Sequence, residues 1–250
     1  MHWKQYLHSS TMSERIHLHP EDAPRQKFRN ELKYLCSEAD LQLLQSRVEI
    51  LCQPDSHAGP LGTYNIRSVY FDDLCNRYYY ENEDGIDPRE KFRIRIYDGV
   101  SSRITLECKK KEKGMTRKES CPLTLEQYHA IMKNTLCADR DDDPLLRRFL
   151  LLQSQRDLQP KVIVAYERTP FVYDFGNVRI TFDRNIGSTS DLDSFFDKNL
   201  MLRPVLPFGK HILEVKYDEL LPDFLYDIMN LGSLQRTTFS KYYLCRKFTI

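Results

Sequence analysis

The sequence predicts an α+β fold: a mainly antiparallel sheet, closed into a barrel or curled on itself, with helices at its periphery. Three observations predict it. Seven or eight short segments alternate charged or polar with apolar residues at the period of two that marks a strand. Turn residues separate them, with no linker dividing the chain, and only a few stretches carry helical spacing. With 250 residues, 41% hydrophobic and 12% aromatic, one domain can bury a sizeable core.

The elements follow in chain order. "FRNELKYL" at 28–35 reads as a strand and runs into the amphipathic helix "SEADLQLLQSRVEILC", with Ser37 as its N-cap. After the Pro/Gly turn region "PDSHAGPLG" comes "TYNIRSVYFDD", rich in aromatic and β-branched residues as strands are. "KFRIRIYDG" and "SRITLECKKKEKG" make a hairpin turned at "DGVS", and "RKESCPL" is a further strand. "LTLEQYHAIMKN", opened by Thr124, and "DPLLRRFLLLQSQRDL", opened by Asp143 ahead of Pro144, are helices. Strands return at "KVIVAYERTPFVYD", "VRITFDRNI" and "HILEVKYDE", before a short helix at 222–230 and the terminal "TTFSKYYLCRKF". Residues 1–26 hold no apolar block of a secretory signal and are expected to form a flexible arm ahead of one domain over 27–250.

Composition excludes several functions. A formal net charge of +1 gives no overall field to draw nucleic acid or an anionic membrane, so any anion binding must be local. The longest apolar runs, such as "FLLL" at 149–152, fall far short of the roughly 20 residues of a membrane span. Seven scattered cysteines without a C-x-x-C pair read as reduced thiols of a cytoplasmic protein. "DFG" at 174–176 stands without the other kinase motifs, and no P-loop is present. In "KKKEKGMTRK" the first lysine is placed on a strand and the rest in a solvated loop, and Tyr78, Tyr79 and Tyr80 read as packing residues with polar tips.

The polar strand faces share a grammar. Lys91, Arg93 and Arg95 oppose Phe92, Ile94 and Ile96; Arg103, Thr105, Glu107 and Lys109 oppose Ile104, Leu106 and Cys108; Arg179, Thr181 and Asp183 oppose Val178, Ile180 and Phe182. Glu31 aligns with Lys33, and Glu214 with Lys216. For one strand alone a solvated sheet face is the simpler reading. Five repeats of Glu-x-Lys or Arg-x-Arg tell instead for an inward face. Lys33, Arg93, Arg95, Lys109, Arg168, Arg179, Lys216 and Lys241 would then share one cavity with only Glu31, Glu107 and Glu214. Like charges so confined persist where a polyanion neutralises them, and a linear chain of phosphates meets that demand. Carboxylates beside phosphates make sense as oxygen ligands of Mg²⁺ or Mn²⁺.

"YNIRSVYFDD", "KFRIRIYDG", "LECKKK", "YERTPFVYDFGNVRITFD", "ILEVKYDELLPDF" and "FSKYYLCRK" occur in the order and spacing of the VTC domain. Over about residues 27–247 the chain resembles this catalytic module of the vacuolar transporter chaperone complex and its prokaryotic relatives, in the triphosphate tunnel superfamily with the CYTH adenylyl cyclases and thiamine triphosphatases. The resemblance implies a closed antiparallel β-barrel forming a triphosphate tunnel. It implies a stand-alone, metal-dependent polyphosphate polymerase that moves the γ-phosphate of ATP onto inorganic polyphosphate and releases ADP. On this resemblance Lys33, Arg93, Arg95, Lys109 and Lys216 are catalytic; Arg168, Arg179, Ser240 and Lys241 bind phosphate or nucleotide; and Glu214, with Glu107 and Glu31, holds Mn²⁺ or Mg²⁺. The first strand reads "NELKY", with Arg29 where the hydrolytic relatives carry the first Glu of their Glu-x-Glu-x-Lys signature, which favours the polymerase branch over the triphosphatases.

Overall fold

The computed structural model describes residues 27–230, 232, 234 and 236–247. The expected arm over 1–26 lies outside the described residues. Strands β1 (Asn30–Ser37), β2 (Gln53–Pro54), β3 (Tyr64–Asp72), β4 (Arg89–Tyr97), β5 (Val100–Glu112), β6 (Met115–Leu123), β7 (Gln159–Tyr173), β8 (Val178–Thr189), β9 (Arg203–Pro204) and β10 (Lys210–Tyr217) form one antiparallel sheet. Its main path runs β1-β10-β8-β7-β3-β4-β5-β6, with β2 on β7 and β9 on β8. Helices α1 (Glu38–Leu51), α2 (Arg77–Glu83), α3 (Leu125–Met132), α4 (Pro144–Arg156), α5 (Asp223–Met229) and α6 (Lys241–Arg246) complete the domain.

The closed barrel expected from the sequence does not form. β6 and β1 end the path and touch at one bridge, where the Arg29 and Thr116 backbones exchange hydrogen bonds of 2.8 and 2.9 Å. Beyond Arg29 the free edge of β1 is taken by another segment: the Thr237 N–H donates to the Lys33 carbonyl at 2.9 Å, and Arg236 bridges Tyr34. A strand edge has one set of donors and acceptors, so β6 finds none left there.

Local chemistry explains the helix ends. Ser37 and Thr124 each close a capping box, with Asp40 and Gln127, at the starts of α1 and α3. Asp143 caps α4 ahead of Pro144, whose missing N–H costs nothing at a first turn. The β4–β5 hairpin turns on Asp98 and Gly99, both at positive φ, as the right-handed strand twist prefers. Gly176, at φ 73°, admits no side chain, since a Cβ there would lie 2.5 Å from the Leu220 carbonyl oxygen.

One element was not read from the sequence and one expectation changes. "RYYYENE" is a helix, α2, although Asn76 gives it no side-chain cap. Its cap comes from Asp72, whose carboxylate accepts from the Tyr78 and Tyr79 amides at 2.9 and 3.1 Å. The expected loop within "KKKEKGMTRK" is a second hairpin: β5 runs on to Glu112 and β6 starts at Met115, around Lys113 and Gly114 at positive φ.

The sheet wears its apolar face outward. Phe92, Ile94 and Ile96 of β4 are fully buried, and Phe92 lies 5.4 Å, centroid to centroid, from Phe149 of α4. On the other side Leu41, Leu44 and Val48 of α1 and Leu225 of α5 cover Phe182, Leu213 and Val215. Each such side chain contributes about 2 kcal/mol of transfer free energy. With the apolar faces spent on the helices, the alternate residues must line whatever the curled sheet encloses.

Candidate functional site: a cation-lined cavity

That enclosed space is a cavity of about 1060 Å³. Lys33, Arg93, Arg95, Lys109, Arg168, Arg179, Lys216 and Lys241 all line it, with Glu31, Glu214 and Ser240. Glu107 does not line it; its carboxylate sits behind the bases.

On one wall β1 and β10 pair so that Glu31 faces Lys216 and Lys33 faces Glu214. The four charges interlock: Lys33 Nζ lies 3.5 Å from both Glu31 and Glu214, and Lys216 Nζ lies 2.6 Å from Glu214 Oε1. Lys109 reaches across from β5 to Glu31 at 2.7 Å. Burial by itself would raise the Glu31 carboxyl, but Lys109 and Lys33 hold it at about 2. Burial likewise opposes ionisation of Glu214, which Lys216 and Lys33 overcome, so it lies well below the ordinary carboxylate range. Lys109 goes the other way: burial, with repulsion from Lys33 and Lys216, outweighs Glu31 and brings its ammonium down to about 7.

Two further carboxylates work from behind the wall. Glu107, 1% exposed, is gripped by Arg93 at 2.7 Å, Lys118 at 3.0 Å and Arg95 at 3.6 Å. Asp183, fully buried, takes both prongs of Arg168 at 2.7 and 2.8 Å and Lys241 Nζ at 2.5 Å. Such two-pronged pairing fixes a guanidinium plane as well as its position. Phenols complete the support. Tyr70 Oη accepts from Arg93 at 2.7 Å, and the Tyr166 ring lies 4.6 Å from Lys241 Nζ and 5.3 Å from the Arg168 guanidinium. Toward the rim Arg179 pairs with Asp55 at 2.8 Å and bonds Tyr64 at 3.0 Å.

The last wall is α6 and the segment before it. Ser240 is the α6 N-cap, its Oγ accepting from the Tyr243 N–H at 3.3 Å and from Lys91 Nζ at 2.9 Å. Lys33 donates to the Phe239 carbonyl at 2.9 Å and so ties this segment to β1.

Sequence reasoning left out Lys91, Lys118, Tyr166 and Asp183 as site residues. Lys91 and Asp183 had a signal, since each shares its strand face with chosen residues. Lys118 fell where the supposed loop overlaps the strand "RKESCPL", which carries no chosen residue to mark its face. Nothing in the period of "KVIVAYERT" separates Tyr166, on the polar face with Arg168, from an ordinary packing residue.

The VTC domain family matches residues 28–250, nearly the whole chain. The chain belongs to the VTC domain family. A comparison with curated proteins finds no match. Among solved structures this VTC domain is similar to a candidate adenylate cyclase from Bacillus halodurans, with TM-score 0.52 and 13% identity over 86% of this chain and 95% of that one. It is also similar to the PH1819 protein of Pyrococcus horikoshii OT3, with TM-score 0.48 and 14% identity over 88% and 99% of the chains. The Mimivirus capping enzyme triphosphatase follows at TM-score 0.35 and 8% identity over 80% and 90%. The first of these likenesses carries the fold and no more. No helix among the described residues is long and apolar enough to cross a membrane.

A divalent cation fits this VTC cavity in one way. Among the described residues no group of three or more His, Cys, Asp or Glu side chains is placed to hold a metal. Glu31 and Glu214 are two carboxylates facing the cavity side by side, and Mg²⁺ is commonly held by one or two carboxylates with phosphate oxygens supplying more of its shell. The donor set therefore suits a metal that arrives with phosphate.

Proposed function

We propose that this VTC domain is a polyphosphate polymerase, transferring the γ-phosphate of ATP to the end of an inorganic polyphosphate chain and releasing ADP. The observation that carries the reading is the pairing state of the two carboxylates on the cavity wall. A hydrolase gains from a carboxylate able to take a proton from water, and an effective base has a pKa near the working pH. Glu31 is held at about 2 and Glu214 is also far down, so neither is suited to that task. A terminal phosphate oxygen is already anionic and needs no base. Arg29, at the hydrolytic carboxylate position, points to Asp218 at 2.8 Å.

Phosphoryl transfer asks the protein chiefly for alignment and charge neutralisation. In this reading Arg93 and Arg95 clasp the transferring phosphoryl oxygens with planes set by Glu107 and Tyr70, while Lys33, Lys109 and Lys216 act as point charges across the cavity. Arg168, Arg179, Ser240 and Lys241 hold the neighbouring phosphates. Glu214 with Glu31 would hold Mn²⁺ or Mg²⁺, which supplies Lewis-acid neutralisation of phosphate oxygens when bound. Glu107, with both oxygens committed to cations, keeps the arginines in place. Incubating the pure protein with ATP and Mn²⁺ and resolving the products on a gel tests the reading. Long phosphate chains are expected; free phosphate alone would make the protein a tunnel triphosphatase, and neither product would leave a polyphosphate-binding module.

A further inference from the structure

Lys91 stands apart from the other deep bases of the cavity. Its Nζ approaches the Ser240 hydroxyl at 2.9 Å and the Tyr242 ring at 5.9 Å, and no carboxylate among the described residues pairs with it. Its β5 cross-strand partner is Lys109, another cation, and Arg93 follows two residues along its own strand. The polymerase reading uses Ser240 only as a phosphate contact and gives Lys91 no task.

From this geometry we propose that Ser240, with Lys91 as its base, is itself a phosphoryl acceptor, so that the enzyme forms a Ser240 phosphoester from ATP and can start a chain without free polyphosphate. The proposal rests on the reading that ATP enters this cavity. Ser240 Oγ attacks the γ-phosphorus of ATP, the bond from that phosphorus to the β,γ-bridging oxygen breaks, ADP leaves with the electron pair, and the hydroxyl proton passes to Lys91 Nζ. A hydroxyl is a weak nucleophile until an adjacent base takes its proton, and an amine serves as that base when it is neutral. Burial together with the charges of Lys109 and Lys33 pushes the Lys91 ammonium well below its ordinary value, which supports a neutral amine at this position. The developing alkoxide is met by the Tyr243 N–H, which already donates to Oγ at 3.3 Å. The nucleophile is held in place because the Lys33–Phe239 bond ties the preceding residue to β1 and Tyr242 is bonded to buried Asp72. Lys241, the next residue, is locked to Asp183 and contributes a fixed positive charge beside the acceptor.

The test uses the wild-type chain with ATP and Mn²⁺ in the absence of any polyphosphate, quenched in denaturant and mapped by peptide mass spectrometry. Covalent phosphate on Ser240, labile to alkali and resistant to hydroxylamine as a serine ester is, supports the proposal. Lys91→Met should then slow its formation by on the order of 100-fold, the contribution of a general base. Phosphate on a different residue, or no covalent phosphate while ATP raises the melting temperature or ADP is released together with phosphate chains, overturns the proposal and leaves the polymerase reading standing; ADP released with free phosphate alone overturns both. If ATP neither binds nor is consumed, both fall, and the melting measurement tells that case from the other. Since the mapping is done on wild type, a folding defect in Ser240→Ala would not blur the answer.

Discussion

The cavity holds carboxylates of two kinds. Glu31 and Glu214, on β1 and β10, face the open space and share Lys33 between them. Glu107 and Asp183 lie behind the wall and face only bases. The back pair contributes structure: each is a counterion that lets two or three cations stand together before any ligand arrives. Against them the front pair is replaceable, since a metal ion can take the place of the lysines that hold it. A wall built from front carboxylates alone would scatter its arginines, and one built from back carboxylates alone would offer a metal nothing.

Breaking the back pair should have the largest effect. Asp183→Asn leaves Arg168 and Lys241 buried without their common counterion, which is expected to cost about 3–5 kcal/mol of stability in chemical denaturation. An unchanged midpoint would show that the two bases relax into solvent. Next comes the front wall: Lys216→Ala should lower polymer synthesis by on the order of 100-fold or more while the fold survives. Lys216 repels Lys109 but is also the nearest counterion of buried Glu214, so the same variant should melt below wild type by less than Asp183→Asn, because Lys33 still pairs with Glu214. Triphosphate at a hundredfold excess over its Kd should stabilise the native protein by about 2.7 kcal/mol, against a small effect of sulfate at matched ionic strength. Equal shifts would mean that the row of bases is not read as a row.

Smaller effects sharpen the distinction. Glu214→Gln keeps the volume and loses the charge, so activity should fall and recover in part at high Mn²⁺, whereas the same exchange at Glu107 should not respond to metal. Activity assays across a Mn²⁺ series check both. The smallest signal is a proton. Because Lys109 is depressed to about 7 while its unfolded value is about 10.4, bound polyanion should raise it again, and binding above pH 7 should take up a proton. Affinity should therefore fall as pH rises from about 7 toward about 10, with no such trend below that window. Calorimetry in buffers of different ionisation heat, without added metal, measures the uptake; its absence would separate Lys109 from the phosphates.

Much of this molecule is written in the chain. The period of two in "KFRIRIY" and "HILEVKY" follows from backbone geometry alone, so the membership of each face was legible, as were the caps at Ser37, Thr124 and Asp143, where one side chain meets its own next turn. Those are local interactions. What the sequence could not say is decided by contacts that leave a single element: α2 is capped by Asp72 of the preceding strand, and Asp183 serves Lys241, 58 positions later. Closure was also beyond reach of the pattern, because the edge of β1 that β6 would need is taken by Thr237, more than two hundred residues on. Alternation determines which side chains go together; only packing of the helices on one sheet face decides that the charged side chains are the ones enclosed.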